Sequence, residues 1–241
     1  MMKRSVLWLL CLLISSPLHA GIMAAGTRVI YPAGKREQSL MLVNTNKYPV
    51  VVQSWVDDGT GDPESAAAPF VALPAVFRLK PGERQGLRLI YNQDPLPQDR
   101  ESVFWINLYE IPPLSAKKAE SARLTVAMNT QMKLFWRPKG LTMTLEEAVK
   151  KLAFRLVPDG KGWAVECNNP TPLNISFTSL ALLKGTHEQK VTQQPDMMIR
   201  TFSTRRYPLD AVKGMPDGSR LRVRYLNDSG VSVEKMVSLQ Q

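Results

Sequence analysis

Two cysteines and two histidines are the only thiols and imidazoles in the 241 residues. Cys11 and His19 both fall within residues 1–20, a stretch with the marks of a removable leader, so Cys167 and His187 stand alone in the rest. One histidine cannot build a multi-histidine zinc or copper centre. A Ser-His-Asp triad would have to use His187, which sits in the polar run Thr186-His187-Glu188-Gln189-Lys190 that reads as a hairpin turn. Cys167 has no partner for an internal disulfide and is expected as a buried small hydrophobe. No phosphate-cradling glycine loop and no dinucleotide fingerprint occurs. Enzyme, metal and cofactor chemistry are not expected; the chain should work through surfaces.

The most suggestive surface is the stretch Arg123 to Arg137, which reads as one long strand. Leu124, Val126 and Met128 alternate with Thr125, Ala127 and Asn129, so the bulky apolar groups share one face. That face either packs inside its own sandwich or is offered to a partner. Strict alternation puts Lys133 on the opposite face. For both faces to serve one purpose, the strand must bulge or twist around Thr130-Gln131, or only part of it presents the apolar side.

The N-terminus decides the compartment. Lys3 and Arg4 precede the apolar run Val6 to Ile14, and Ser15-Ser16-Pro17-Leu18-His19-Ala20 follows. Positive, then apolar, then small is the order of a cleavable secretory signal, and the run is too short to cross a bilayer as a helix. Residues 1–20 are expected to be removed, leaving Gly21 as the first mature residue. The net charge of +10 then falls by the two cations of the leader to +8. Those charges are scattered along the chain, Lys35, Arg36, Arg78, Lys80, Arg84 and Arg88 among them, as on solvated strand faces. An exported chain of this kind points to acidic protein partners rather than nucleic acid, with no stable membrane insertion.

Strand signals dominate the remainder. Arg28 to Tyr31, Ser39 to Val43, Val50 to Val56, Ala75 to Leu79 and Gly86 to Tyr91 are β-branched or aromatic runs between turn clusters. Ala153 to Val157, Trp163 to Cys167, Leu173 to Phe177, Arg220 to Tyr225 and Val231 to Val233 repeat the style. Thr144 to Lys151 is the one candidate helix, with Thr144 as cap and Glu146 and Glu147 in its first turn; a short connector is the alternative. Pro138-Lys139-Gly140 is a natural hinge, since Pro stops strands and Gly bends the chain. The parse is all-β: two sandwiches, 21–140 and 141–241, whose junction makes a cleft.

Several segments together resemble the periplasmic pilus-assembly chaperones of chaperone–usher systems. They are Leu96-Pro97-Gln98-Asp99-Arg100-Glu101-Ser102-Val103-Phe104-Trp105-Ile106-Asn107 closing on Ile111-Pro112-Pro113, Thr27 to Pro32, Lys133 to Pro138, Asn168 to Pro172, and Leu226-Asn227-Asp228. The resemblance implies two immunoglobulin-like domains set as a boomerang. It also implies a periplasmic protein that lends a strand to pilus subunits lacking one (donor-strand complementation, a recognised form of β-strand addition) and delivers them to an outer-membrane usher. The family's positions fall on Arg28 and Lys133 as the anchor for the subunit's terminal carboxylate. They fall on Leu124, Val126 and Met128 as apolar donor groups, and on Glu101, Arg137 and Asp228 as a charge network holding the interdomain angle.

The chemistry suits those roles, because a guanidinium grips two oxygens and an ammonium adds a point charge. Taken singly, each residue also fits a solvated strand face. The short stretch between Pro113 and Arg123 resembles the short-loop branch, although many such relatives carry a cysteine pair late in the second domain and this chain has only Cys167. The basic segment Met197 to Tyr207, with Arg200, Arg205 and Arg206, is expected as a solvated face. A secreted structural or adhesive sandwich, such as a pilus component, is the alternative.

Overall fold

The computed structural model describes residues 21–64, 68–113, 126–160, 162–185, 187–209 and 220–240. The leader expected over residues 1–20, together with Arg123 and Leu124, lies outside them. Two β-sandwich domains follow one another, mostly antiparallel, in the boomerang arrangement of two immunoglobulin-like units. The first holds β1 (Ile22–Ala24), β2 (Arg28–Pro32), β3 (Glu37–Asn44), β4 (Val50–Asp57), β5 (Phe70–Leu73), β6 (Val76–Leu79), β7 (Arg84–Tyr91), β8 (Ser102–Ile111) and β9 (Met128–Arg137). One sheet runs β1-β3-β7-β5 and the other β2-β9-β8-β4-β6. Alternate residues Val50, Val52 and Val56 of β4, Leu87 and Leu89 of β7, and Phe104, Ile106 and Leu108 of β8 point inward and fill the space between sheets.

The first strand of this domain is divided between the two sheets. β1 pairs antiparallel with β3, and β2, three residues later, pairs parallel with β9. β2 reaches only Lys133 to Arg137 of β9, whereas β8 pairs with β9 from Met128 to Trp136. Among the described residues, no strand therefore covers the second edge of β9 from Met128 to Met132.

The register between β8 and β9 is unbroken, from Glu110 opposite Met128 to Ser102 opposite Trp136. The bulge considered near Thr130-Gln131 does not exist. Met128 shares its face with Met132, Leu134 and Trp136, which enter the core, and Lys133 shares the other face with Gln131, Phe135 and Arg137. The two faces of one regular strand look in two directions. The strand is also shorter than expected, with Val126 and Ala127 preceding it as irregular chain.

At the junction, Leu141 N donates to Pro138 O at 3.2 Å, and α1 (Leu145–Lys151) follows. Thr144 caps it: its hydroxyl accepts from Glu147 N, and the Glu147 carboxylate accepts from Thr144 N at 2.8 Å. This reciprocal capping box contributes about 1 kcal/mol. It sets Leu145, Ala148 and Val149 against the second core.

The second domain comprises β10 (Ala153–Asp159), β11 (Gly162–Asn169), β12 (Ile175–Lys184), β13 (His187–Lys190), β14 (Met198–Ile199), β15 (Ser203–Leu209), β16 (Arg220–Leu226) and β17 (Ser232–Ser238). One sheet is β10-β11-β15; the other is β13-β12-β16-β17, with β14 on β12. Three expectations change here. The run at His187 is a strand paired to β12, so the chain turns before it. The strand expected from Leu173 begins at Ile175, Leu173 itself being buried. The basic segment is a solvated face on one side only: Met197, Met198, Ile199 and Tyr207 are core residues, while Arg200 and Arg206 are exposed yet engaged. Arg206 Nε donates to Glu166 at 2.9 Å, Arg205 binds three oxygens of the preceding loop, and Arg200 lies over Trp105. Long cationic side chains on a strand look solvated in sequence because their partners come from neighbouring strands and loops.

Cys167 is fully buried, and burial pushes its thiol well above the usual range. A thiol held protonated and out of reach is a poor nucleophile. Native protein should show no labelling by a bulky maleimide over hours and one equivalent per chain in 6 M guanidinium, read by mass spectrometry. Labelling in the native state would show that β11 opens readily.

Candidate functional site: the interdomain cleft and the open edge of β9

β2 and β9 lie in parallel register with Arg28 directly opposite Lys133. Main-chain pairing alone thus places two cations side by side on the face of β9 that looks toward the second domain. They line a cavity of about 230 Å³ together with Thr27, Gln131, Ser176 and Asp196, residues drawn from both domains.

Arg28 lies with its guanidinium carbon 5.6 Å from the centroid of the Phe135 ring, and its Nη1 donates to Leu226 O at 3.4 Å. Burial lowers its pKa, with Asp228 and Glu101 pulling the other way. Arg28 Nε and Ser176 Oγ are buried without a hydrogen-bond partner. Unspent polar groups of this kind cost stability unless a ligand satisfies them. Lys133 Nζ is held by Asp196 Oδ1 at 2.7 Å. A planar forked donor, an ammonium and an unpaired hydroxyl together have the chemistry to bind a carboxylate.

The predicted charge network comes together at the domain junction. Arg137 Nε and Nη2 donate to Glu101 Oε1 at 2.9 and 2.7 Å, and Nη1 and Nη2 donate to Asp228 at 2.7 and 3.0 Å. The other oxygen of Glu101 accepts from Asn174 N at 2.9 Å and from Asn174 Nδ2 at 3.3 Å, and Glu101 N donates to Pro172 O at 2.9 Å. Glu101, its side chain 1% exposed, thus ties the last residues of β9 to the second domain.

Burial raises the Glu101 carboxyl, against the pull of Arg137 and of the Asn174 donors. Burial lowers Arg137, but Asp228 and Glu101 outweigh it and carry the guanidinium above its usual value. These directions disagree about whether the bridge favours a charged Glu101. Every polar contact of its two oxygens is with a donor, so Glu101 is read as a carboxylate held by donors from both domains.

The apolar donor groups are divided. Met128 is 46% and Val126 68% exposed, at the foot of the uncovered edge, while Leu124 lies outside the described residues. A Met and a Val so exposed beside a bare strand edge are the features a soluble protein ordinarily avoids.

One feature of the site was missed in sequence. Asp57 is fully buried at the end of β4 and accepts from Gly59 N and Gly61 N, both at 2.8 Å, and from Asn107 Nδ2 at 2.9 Å. Asn107 Oδ1 in turn accepts from Gln131 Nε2 at 2.9 Å and Asn129 Nδ2 at 3.2 Å. This chain of amides ties the outward face of the half-paired part of β9 to β8 and β4. Gly59, at φ +109°, lies against the Trp105 ring, where a Cβ would come within 3.2 Å. The signal was present: an asparagine between Ile106 and Leu108 in a buried strand must find partners.

Comparison with known proteins agrees with this geometry. Residues 21–142 match the pili and flagellar-assembly chaperone family, PapD N-terminal domain, and residues 147–236 match the pili assembly chaperone PapD, C-terminal domain. The probable fimbrial chaperone YadV of Escherichia coli (strain K12) is 34% identical over 93% of this chain and 92% of its own. The chaperone protein HifB of Haemophilus influenzae is 32% identical over 97% and 96%. The crystal structure of YadV superposes with a TM-score of 0.77 at 32% identity, covering 90% of this chain and 99% of that one. The Pseudomonas aeruginosa CupB2 chaperone gives 0.73 at 33%, covering 90% and 100%.

The chain belongs to the PapD-like periplasmic chaperones of the chaperone–usher pathway. It is a protein of the periplasm that binds fimbrial subunits by donor-strand complementation and hands them to an outer-membrane usher. Among the described residues, no group of three or more acidic, cysteine or histidine residues could hold a metal ion.

The junction gives a graded expectation. Arg137→Ala strands the buried Glu101 carboxylate and should cost about 3 kcal/mol. Asp228→Ala removes a partner whose side chain is 43% exposed and should cost less than about 1 kcal/mol. Urea midpoints measured at constant m-value rank the two, and equal losses would remove Glu101 from the centre of the lock.

Proposed function

We propose that the chain, divided into an N-terminal domain over 21–140 and a C-terminal domain over 141–241, carries out this chaperoning with three parts of β9. Lys133 with Arg28 anchors the subunit's C-terminal carboxylate. Val126 and Met128, continued by Leu124, fill the subunit's open groove. Arg137 with Glu101 and Asp228 holds the angle between domains.

The observation that carries this reading is the half-covered edge of β9. Among the described residues, no strand pairs with the second edge of β9 from Met132 back to Met128, so an extended chain with its end fixed at Lys133 would have main-chain groups to pair with there. The terminus thereby fixes the register of every later pair, which decides which side chains face the groove. Because the register of β9 is regular, Met128 then faces the same way as the chaperone's own core. A bound subunit would extend that sandwich rather than stack on its outside. Each apolar side chain buried in the groove contributes about 1.5–3 kcal/mol before ordering costs.

Periplasmic co-expression with a pilin subunit that lacks its last strand tests the reading. Lys133→Ala should recover at least fivefold less soluble subunit than wild type. Met128→Glu should do the same by setting a charge in an apolar groove; because Met128 faces Glu110 across the strand pair, the variant's melting temperature is measured alongside to separate lost binding from lost folding. Equal recovery with Lys133→Ala overturns the carboxylate anchor, and equal recovery with Met128→Glu overturns the donor face.

A further inference from the structure

We infer that Asp196 occupies, in the free chaperone, part of the place the subunit's carboxylate will take, and so sets the affinity and selectivity of the anchor. The inference rests on the reading of Lys133 as that anchor. The geometry is direct: Asp196 Oδ1 lies 2.7 Å from Lys133 Nζ, inside the cavity both residues line with Arg28.

The position of Asp196 is fixed by its surroundings. The same Oδ1 accepts from Met198 N at 2.9 Å, and Asp196 O accepts from Arg205 Nη2 at 2.5 Å. Arg205 also donates through Nη1 to Met198 O at 2.6 Å and through Nη2 to Gln194 Oε1, and it lies 5.2 Å from the Tyr207 ring centroid. One arginine of the second domain thus holds the loop 194–198 so that its aspartate meets a lysine of the first.

Three consequences follow for a ligand. The ammonium is paired before a subunit arrives, so a neutral or wrongly placed chain end gains nothing by approaching it. A terminal carboxylate must displace Asp196, or share Lys133 with it across a short distance where two anions repel. Only a ligand that also satisfies Arg28 Nε and Ser176 Oγ gains enough to do so, because those groups have no partner in the free protein. Asp196 is therefore a selectivity residue for chain ends that reach all three groups.

The substitution Asp196→Asn isolates this role. The amide oxygen can still accept from Met198 N, and the main-chain oxygen that Arg205 holds is unchanged, so the loop should keep its place while the charge is lost. As probe we specify a ten-residue peptide of alternating valine and threonine, made with a free C-terminal carboxylate and as the C-terminal amide, titrated into the full mature chain by calorimetry. Wild type should bind the free acid more tightly than the amide. Asp196→Asn should bind the free acid about fivefold to tenfold more tightly than wild type does, the scale of one partly screened ion pair. Its affinity for the amide should be unchanged.

If wild type binds acid and amide equally, or neither, the anchor reading fails and this inference with it. If wild type prefers the acid but Asp196→Asn binds it no better, the anchor stands and the displacement is overturned. A gain of equal size for both peptides also overturns it, since that would report a loosened loop rather than a relieved competition.

Discussion

Everything in this molecule turns on one strand that, among the described residues, has two neighbours along half its length and one along the rest. β9 is paired with β8 throughout, but β2 covers only its last five residues, from Lys133 onward. The cause lies at the other end of the chain. The first strand spends Ile22–Ala24 on the opposite sheet before crossing to β9 at Arg28, so it arrives too late to cover Met128–Met132. A bare edge is ordinarily a liability for aggregation. Here the second domain stands at the covered end of that edge and places the cation-lined cavity where the bare segment stops.

Rigidity at such an edge has to come from somewhere other than strand pairing. It is supplied on the outward face by the amide chain from Asp57 through Asn107 to Gln131 and Asn129, and on the inward face by Met132, Leu134 and Trp136 in the core. The edge is thus unpaired but not loose. A preordered template spares an incoming strand much of the ordering cost that weakens association between flexible partners. The junction shares the feature: one oxygen of Glu101 is held by Arg137 of its own domain and the other by Asn174 of the second.

Local devices were readable in the sequence and distant ones were not. Thr144 and Glu147 are three residues apart, so the helix cap could be written down with its partners. The lone Cys167 and the alternation in β4 and β7 likewise follow from neighbours in the chain. The conflict of parity between Met128 and Lys133 was visible too, but its resolution needed the register with β8, which no local pattern encodes. Asp196 lies 63 residues from Lys133, and Arg205 sits in a run that looks like ordinary solvated charge. Nothing nearby in sequence says what either faces. Resemblance to a family marked Glu101, Arg137 and Asp228; Asn174, which completes the carboxylate's partners, came only with the coordinates.

The parallel register of β2 and β9 has a further consequence. It sets Arg28 and Lys133 directly across from one another, and like charges facing across a strand pair repel. Lys133 is partly neutralised by Asp196, but Arg28 is also stripped of water, and its guanidinium is the less favoured for it. The desolvation of Arg28, offset in part by Asp228 and Glu101, thus falls where the first strand crosses over to β9. An anion bound beside Arg28 would offset that desolvation and, by mass action, raise the stability of the fold that holds it.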